Sequence, residues 1–485
     1  MEKRKLQLGI GCLILVLFAV FFCLFLIQRN EKQTRALDMP KSRIEEIDWA
    51  VFREEEIKLT EKRTITKAGI YHLTGSIQDG SLIVNTEGLV KLILDGITIQ
   101  SNNGPAILIE NAKKVEIELV GENQVSDGAL YLGLGNINAC IYSKVDLIFS
   151  GSGTLNLKGN YEVGIRTKKD LKWNGGTLFI QSKDDGIDAE DSFEFVQGKV
   201  NIVTDKNGIK VENKKDNIRG FMLIRDGDFS IKSRLDGIQT SSTLWIEKGH
   251  FEIETTGNVK GVHDDKNTIS AKGLKGENIT IQEGTYQITT TDDSIYARDT
   301  LTIFNGEATL SSGDDAIHAT NSLTIHDGNL SVMKSYEGLE SDQIEILGGN
   351  ISIVSEDDGI NAAGETKTSP REIGKSKLII KDGVIHVDAS GDGIDVNGNI
   401  EIDGGIIVIE GPESNGNGAL DYDGELMMNG GTLLAVGSSN MAEGISNSSK
   451  QRGFLALFDE MMQGELEIKE KDGKELYKVS LNKKY

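Results

Sequence analysis

The sequence predicts an all-β protein, a single-stranded parallel β-helix with coils of about 22 residues, preceded by an N-terminal transmembrane helix. Two observations predict the β-helix. A short motif of an acidic residue, glycine and isoleucine recurs along the chain, and several copies are 21 or 22 residues apart. Between the copies lie short runs of alternating apolar and polar residues, separated by Gly-Gly, Asp-Gly or Asn-Gly turns. Three short strands and three turns fit one such period.

The composition also favours a repeat fold. The chain has 56 glycines and 4 prolines among 485 residues, and aromatic residues make up 6%. Since few large rings are available, we expect a thin core of isoleucine, leucine and valine. The formal net charge of −23 argues against sequence-independent binding to nucleic acid, which needs a basic face.

The N-terminus predicts a membrane anchor. A basic tail at residues 1–5, expected to be cytoplasmic, precedes an uncharged apolar stretch at 6–28. That stretch is long enough to cross a hydrocarbon layer of about 30 Å as a helix. A cleaved secretory signal is the alternative, although its apolar region is usually shorter. We expect a single-pass protein of the cell membrane with most of the chain extracellular, because the remaining motifs suit calcium, which is abundant outside cells.

The rest of the chain is organised around the repeats. Residues 29–60 are expected to form a linker and an N-terminal cap, residues 61–452 the β-helix, and residues 453–485 a C-terminal β cap with an Asp472-Gly473 turn. Caps are expected because a solenoid needs its ends covered. A monomer is expected.

One polar column is predicted to run along the outside of the β-helix. Side chains alternate along a strand, so the isoleucine of each motif points inward and the following residue outward. The outward residues are a candidate ligand-facing stripe, with a merely solvated strand face as the alternative. They are Arg166, Asp188, Lys210, Gln239, His263, Tyr296, His318, Glu340, Asn361, Asp395, Asp421 and Ser446.

The acidic residues of the motifs are candidate calcium ligands. Residues one period apart stack at about 4.8 Å, where like charges are unfavourable unless their pKa values rise or a cation binds. Paired aspartates offer the several hard oxygens that Ca²⁺ takes. The alternative is that an aspartate only caps its turn. The predicted metal ligands are Asp184, Asp185, Asp188, Asp292, Asp293, Asp314, Asp315, Asp357, Asp358, Asp392, Asp395 and Asp421.

Few residue types suited to sugar contact are available. The candidate polysaccharide-binding residues are Arg166, Lys210, Tyr296, Arg298, His318 and Trp245. A calcium-dependent uronan lyase acting by β-elimination would take its base from Lys210, Arg166, Arg298, His263 or His318. No set of base, acid and metal stands out, so no catalytic residue is assigned. A structural adhesin with a protein partner is a further alternative.

These features resemble the bacterial cell-surface carbohydrate-binding domain proteins. The resemblance covers roughly residues 60–480 and rests on the Asp-Gly-Ile repeats together with the segments 90–128, 419–426 and 437–451. It implies a right-handed β-helix related in shape to pectate lyases, calcium held by Asp-rich turns, and binding of pectin-like or cellulose-like polymers without established catalysis. Calcium is not expected where Lys206, Leu235 or Tyr336 replaces the first aspartate, or where Lys260 replaces the second. The leading hypothesis is a membrane-anchored, calcium-binding β-helix that holds polysaccharide.

Overall fold

The computed structural model describes residues 39–216, 218–257, 270–364, 373–458, 463–481 and 483–485. It divides into two units, Met1–Lys41 and Ser42–Tyr485, and every described strand lies in the second. The apolar stretch 6–28 lies outside the described residues, so its role as an anchor stays a prediction. Among the residues that are described, no helix is long and apolar enough to cross a membrane.

The described strands form one long coiled sheet. Forty-one strands are joined by hydrogen bonds, and strands pair in parallel with the equivalent strands of neighbouring coils. Arg166 and Asp188, which are neighbours across two coils, are 22 residues apart. The predicted all-β class and its parallel coils are confirmed.

The first face of the coils carries the Gly-Ile motif and is called here the motif sheet. Most of its strands are three to five residues long, and a glycine or another small residue precedes many of them. They are Arg63–Ile65, Leu82–Asn85, Ile107–Asn111, Ala139–Ser143, Val163–Thr167, Ile187–Ala189, Ile209–Val211, Ile238–Thr240, Ile360–Ala362, Ile394–Val396 and Leu420–Tyr422, together with the first halves of Leu274–Ile281, Ile295–Ile303, Ile317–Ile325 and Leu339–Ile346.

The second sheet follows the motif sheet in each coil, and in four coils a single long strand serves both. The second halves of those four strands belong here. The other strands are Glu54–Leu59, Gly69–Ile77, Leu89–Asp95, Lys114–Val120, Leu147–Gly151, Asp170–Trp173, Ser192–Phe195, Phe221–Ile224, Thr243–Ile246, Ser376–Ile380, Gly398–Ile402 and Leu426–Met428.

The third sheet closes each coil with strands of strict in-out alternation. The end of Gly69–Ile77 pairs with its first strand. Its strands are Thr98–Gln100, Glu122–Ser126, Thr154–Gly159, Thr177–Ser182, Lys199–Thr204, Asp228–Ser233, His250–Thr255, Thr285–Thr289, Glu307–Ser311, Asn329–Lys334, Asn350–Ser355, Val384–Ala389, Ile406–Glu410 and Thr432–Val436.

Short elements lie at the two ends of the coils. They are the 3-10 turns Trp49–Val51 and Ser439–Met441 and an antiparallel pair, Gly464–Lys469 with Glu475–Leu481, on either side of the Asp472-Gly473 turn. After this hairpin, Lys483 returns to the third sheet, where its Nζ lies 2.6 Å from Asp388 Oδ1.

Ladders of like residues fill the interior. The isoleucines of successive motifs, such as Ile187, Ile209 and Ile238, stack directly on one another and are buried. This agrees with the aliphatic core expected from the composition. Six of the 28 aromatic residues form one continuous stack, which local sequence patterns did not reveal, with centroid separations of 4.6 to 6.4 Å between neighbours. Its members are Phe149, Trp173, Phe195, Phe229, Phe251 and Tyr286.

One buried amide joins three coils. Asn123 is fully buried; its Oδ1 accepts from Ile97 N at 3.0 Å, and its Nδ2 donates to the carbonyls of Val120 and Thr154 at 3.1 and 3.2 Å. We expect Asn123→Ala to lower the free energy of unfolding by about 2 to 3 kcal/mol, because backbone groups are left without partners. Urea denaturation measures this, with the outward-facing Asn201→Ala as a control. A loss no larger than that of the control would contradict this role.

Candidate functional site

The strand register of the motif sheet aligns the outward side chains of successive coils in a polar column. In the strand register of consecutive coils, Arg166 lies opposite Asp188 and Asp188 opposite Lys210. Lys210 in turn lies opposite Gln239. The next member is Lys275, which pairs with Gln239, so the prediction of His263 at this position was wrong. His263 itself lies outside the described residues. We call the following set the outer column: Arg166, Asp188, Lys210, Gln239, Lys275, Tyr296, His318, Glu340, Asn361, Asp395 and Asp421.

The second aspartate of each motif also links coils. Asp185 Oδ1 accepts from Asn207 N at 3.1 Å, and Asp293 Oδ1 accepts from Asp315 N at 3.2 Å. Asp358 Oδ1 accepts in the same way from Asp392 N, at 2.7 Å. These bonds resemble the turn-capping alternative, but they reach the next coil rather than the local turn. Each uses one carboxylate oxygen and leaves the other for a further partner.

In the N-terminal part of the outer column, basic side chains of the chain itself neutralise the acids. Arg166 Nε donates to Asp188 Oδ2 at 2.9 Å, and Lys206 Nζ lies 2.6 Å from Asp184 Oδ2. Burial is the main reason that the pKa of Asp185 is raised to about 6, and the charges of Asp188 and Asp184 add to it. The predicted calcium ligands Asp184 and Asp188 therefore already have cationic partners.

In the middle of the column, the ammonium group of Lys272 lies between carboxylates where a metal ion could otherwise bind. Its Nζ lies 2.7 Å from Asp292 Oδ1 and 2.5 Å from Asp293 Oδ2, and both aspartates are buried. The same ammonium group lies 4.3 Å from the ring centroid of Tyr296. Two carboxylates and an aromatic face surround it, as they could surround a bound cation.

His318 supplies the next positive charge. Its Nδ1 is 3.1 Å from Asp315 Oδ2 and also contacts Glu340 Oε2. Burial opposes the charged imidazole, but hydrogen bonds to Asp315 and Glu340 outweigh it and raise the pKa of His318 to about 11. This histidine is an imidazolium at neutral pH. Burial, followed by the charges of Asp293 and Asp292, raises the pKa of nearby Asp314 to about 7.

In the C-terminal part of the column, acidic side chains outnumber basic ones. One oxygen from each of Asp358, Asp392 and Asp395 lies within 4.8 Å of the others, and we call these three the acidic cluster. No lysine, arginine or histidine of the described residues forms an ion pair with Asp358 or Asp392. Burial, then the charges of Asp357, Asp392 and Asp395, raise the pKa of Asp358 to about 7. The cluster is suited to a cation.

Asn361 offers a neutral oxygen in the same column. It is 8% exposed, its Nδ2 donates to Glu337 Oε2 at 2.8 Å, and its buried Oδ1 has no hydrogen-bond partner among the described residues. It stacks between Glu340 and Asp395. Because the two atoms of an amide diverge, Oδ1 faces away from Glu337. A buried acceptor without a partner is costly, so it indicates a missing donor or cation.

The other predicted sites have varied surroundings. Asp357 lies in the turn before the acidic cluster, where its carbonyl accepts from Gly391 N at 3.1 Å, and Asp421 stacks on Asp395 in the next coil. Arg298 is largely exposed and lies 3.0 Å from Glu277. Trp245 belongs to the second sheet and is 6% exposed, which argues against a sugar platform there.

Two of the candidate bases, Lys210 and Arg166, are held in their charged forms by neighbouring carboxylates. Burial opposes the charge of Lys210, yet Asp185 and Glu212 raise its pKa, and its Nζ lies 3.1 Å from Glu212 Oε2. Burial likewise opposes the charge of Arg166, but Asp188 raises its pKa. A general base needs a pKa near the working pH, so neither residue suits proton abstraction.

The chain matches the model of one protein family over more than half of its length. A model for carbohydrate-binding domain-containing proteins matches residues 60–316 and 298–374. The chain belongs to this family. A protein of Acetivibrio thermocellus named as a carbohydrate-binding domain-containing protein is 31% identical over 228 residues, which are 45% of this chain and 78% of that protein.

One solved structure is also similar. It is a gadolinium derivative of the polysaccharide lyase-like protein from C. thermocellum, 27% identical, with a TM-score of 0.40. The similarity covers 50% of this chain and 96% of that one. The match to the family model ends at residue 374, so Asp392 and Asp395 of this carbohydrate-binding family member lie beyond the matched residues.

Sequence reasoning missed Lys272, Lys275 and the amide oxygen of Asn361. Lys272 lies 20 residues before Asp292, and nothing in the local pattern shows that its side chain turns towards that coil. A signal was present, because the segment KGLKG at 272–276 also carries a glycine before an apolar residue. The sequence interpretation assigned the motif of this coil to the segment around Lys260 instead.

The raised carboxyl pKa values predict a pH effect in the absence of metal. Burial, then the charge of Glu340, raises the pKa of Glu337 to about 8, and that of Asp358 is raised to about 7. The folded state binds these protons more tightly than the unfolded chain, so stability falls as pH rises through these values. We expect the melting temperature in chelator to be lower at about pH 8.5 than at about pH 5.5. Calorimetry measures it, and a melting temperature that rises over this range would contradict the pKa directions.

Proposed function

We propose that this protein is a calcium-binding β-helix that holds polysaccharide outside the cell and does not cleave it. Membership of the carbohydrate-binding domain family supports the sugar-binding part. The observation that carries the calcium part is the acidic cluster, together with Asn361, which pairs with Asp395 and whose buried Oδ1 has no hydrogen-bond partner among the described residues. The anchor at residues 6–28 remains part of the proposal, since an extracellular location would supply calcium.

The donor set fits calcium better than a transition metal. Asp358, Asp392, Asp395 and Asn361 offer only oxygen atoms, and Ca²⁺ takes 6 to 8 oxygen ligands, including carboxylates and amide carbonyls. Such an ion would also offset the repulsion between the neighbouring carboxylates. Four side chains leave coordination positions for water or for a carboxylate of the ligand.

The overall charge favours a polymer held through calcium. A chain with a net charge of −23 repels a uronate polymer unless cations lie between them. The acidic cluster adjoins the outer column through its member Asp395, which is only partly buried. We infer that a uronate carboxylate completes the coordination of the ion, and that exposed Arg298, two residues after Tyr296, adds a direct contact next to the column.

The surroundings of the basic residues support binding without cleavage. β-Elimination requires a base that removes a proton from the sugar, and Lys210 and Arg166 are both held protonated by neighbouring carboxylates. His318 is likewise held as the imidazolium by Asp315 and Glu340. Lys210, Arg166 and His318 therefore serve to balance charge.

Affinity electrophoresis of the full chain through gels containing de-esterified pectin tests the proposal. We expect calcium to retard the protein, chelator to abolish the retardation, and polymer staining to show no cleared zone. A cleared zone would identify a lyase. Equal mobility with calcium and with chelator would contradict calcium-bridged binding and would favour an adhesin with a protein partner.

A further inference from the structure

An open groove of about 460 Å³ lies away from the outer column, at the turn between the second and third sheets. It crosses four consecutive coils, from the coil of His326 to the coil of Ile406. Its lining is His326, Asp327, Leu347, Gly348, Gly349, Asn350, Asp382, Gly383, Val384, Gly405 and Ile406.

One wall is made where strands of the second sheet end. His326 follows Ile325 and Leu347 follows Ile346, and Leu347 N donates to Ile325 O at 2.8 Å. The ring of His326 stacks on Phe304 of the preceding coil, with centroids 4.4 Å apart and planes 15° apart. Both ring side chains are only partly buried. This wall presents planar and aliphatic groups to solvent.

The opposite wall departs from the pattern of its own sheet. Val384 and Ile406 are 49% and 46% exposed at the first position of their strands. In the nine preceding strands from Thr154–Gly159 onward, which are in register, this position is always polar. Those residues are Thr154, Thr177, Lys199, Asp228, His250, Thr285, Glu307, Asn329 and Asn350. Apolar side chains therefore face solvent at the groove, at a strand position where the preceding coils expose polar ones.

The floor is flat and carries hydrogen-bonding groups. Gly349 has φ +94°, and a Cβ there would lie 2.8 Å from Gly328 O, so the floor has no side chain at this point. Asp327 and Asp382 each accept from the following glycine N–H at 2.8 Å through Oδ1. Their second oxygens have no hydrogen-bond partner in the part of the chain that is described.

We propose that this groove is a calcium-independent subsite for uncharged pyranose units of a polysaccharide. The proposal rests on the carbohydrate-binding part of the proposed function but not on its calcium part. The C–H faces of sugar rings pack on Leu347, Val384 and Ile406, and their hydroxyl groups donate to Asp327 and Asp382.

Charge and length define the class of ligand. Apart from His326, no basic side chain lines the groove among the described residues, so the two aspartates disfavour uronate units. Three steps between four coils, at about 4.8 Å each, give a groove of roughly 14 Å, which accommodates about three sugar rings.

The test is retention of the full chain in gels of hydroxyethyl cellulose, a neutral glucan, run in chelator. We expect wild type to be retarded. The variant L347Q/V384T/I406T introduces residue types found at the same positions in other coils, Gln282, Thr285 and Thr432. Its apparent affinity should fall by about tenfold or more, because three apolar contacts are lost.

Two controls separate the outcomes. V203T changes an exposed valine of the third sheet outside the groove and should be retained like wild type. The triple variant should keep its calcium-dependent retardation in de-esterified pectin, which tests folding and the proposed function separately. Wild-type mobility unaffected by neutral glucan, or a triple variant retained as strongly as wild type, would overturn the subsite.

Discussion

Replacing Lys272 with methionine should destabilise the calcium-free protein by about 3 to 5 kcal/mol, because two buried carboxylates lose their only basic partner among the described residues. Added calcium should restore much of this stability, since Asp292, Asp293 and Asp314 form a candidate metal group once the ammonium is removed. Urea denaturation in chelator and in calcium measures both effects.

Two controls accompany the Lys272 experiment. Lys272→Arg keeps the positive charge and should be much less destabilised in chelator. Lys232→Met removes an exposed partner of Glu254 and should change stability by less than about 1 kcal/mol. A Lys272→Met protein as stable as wild type in chelator, or one insensitive to calcium, would contradict the view that this lysine substitutes for a cation.

The variant D358N/D392N/D395N should lose saturable calcium binding at the acidic cluster, with affinity falling by about two orders of magnitude or more as three charged ligands become neutral. Asparagine keeps an Oδ1 that can accept from Asp392 N and Gly418 N, so the links between coils are retained. Isothermal titration calorimetry with calcium measures the change.

The matched control for the calcium experiment is Asp228→Asn, which changes an exposed carboxylate paired with Lys199 on the third sheet. It should bind calcium like wild type. The melting temperature of wild type should rise with calcium, and that of the triple asparagine variant should rise less. Unchanged calcium affinity in the triple variant would show that Asp358, Asp392 and Asp395 do not bind the ion.

The sequence predicted the coils well because register in a parallel β-helix follows from the period. Motifs 22 residues apart, such as those around Ile187 and Ile209, must stack, and strand alternation then places Asp188 and Lys210 outside. The prediction failed where an insertion interrupts the period. Either Gly261 or Gly273 could begin the next motif, and only the pairing of Leu274 with Ile238 decides between them.

The chemistry of the outer column was less accessible from the sequence. Calcium-ligand predictions treated all Asp pairs alike, because spacing alone does not show which carboxylates meet a lysine. Lys272 and Arg166 are long side chains whose direction depends on the packing of neighbouring coils, and Asn361 Oδ1 is recognisable only by its burial without a partner. The groove depends on the Gly348-Gly349 turn together with Val384 and Ile406 from later coils.

The most direct test of the central claim is calorimetric titration of an oligogalacturonate into the full chain, in calcium and in chelator, repeated with D358N/D392N/D395N. Our account predicts saturable binding only for wild type in calcium, and none for the triple variant under either condition. Equal binding of wild type with and without calcium, or undiminished binding by the triple variant in calcium, would contradict it.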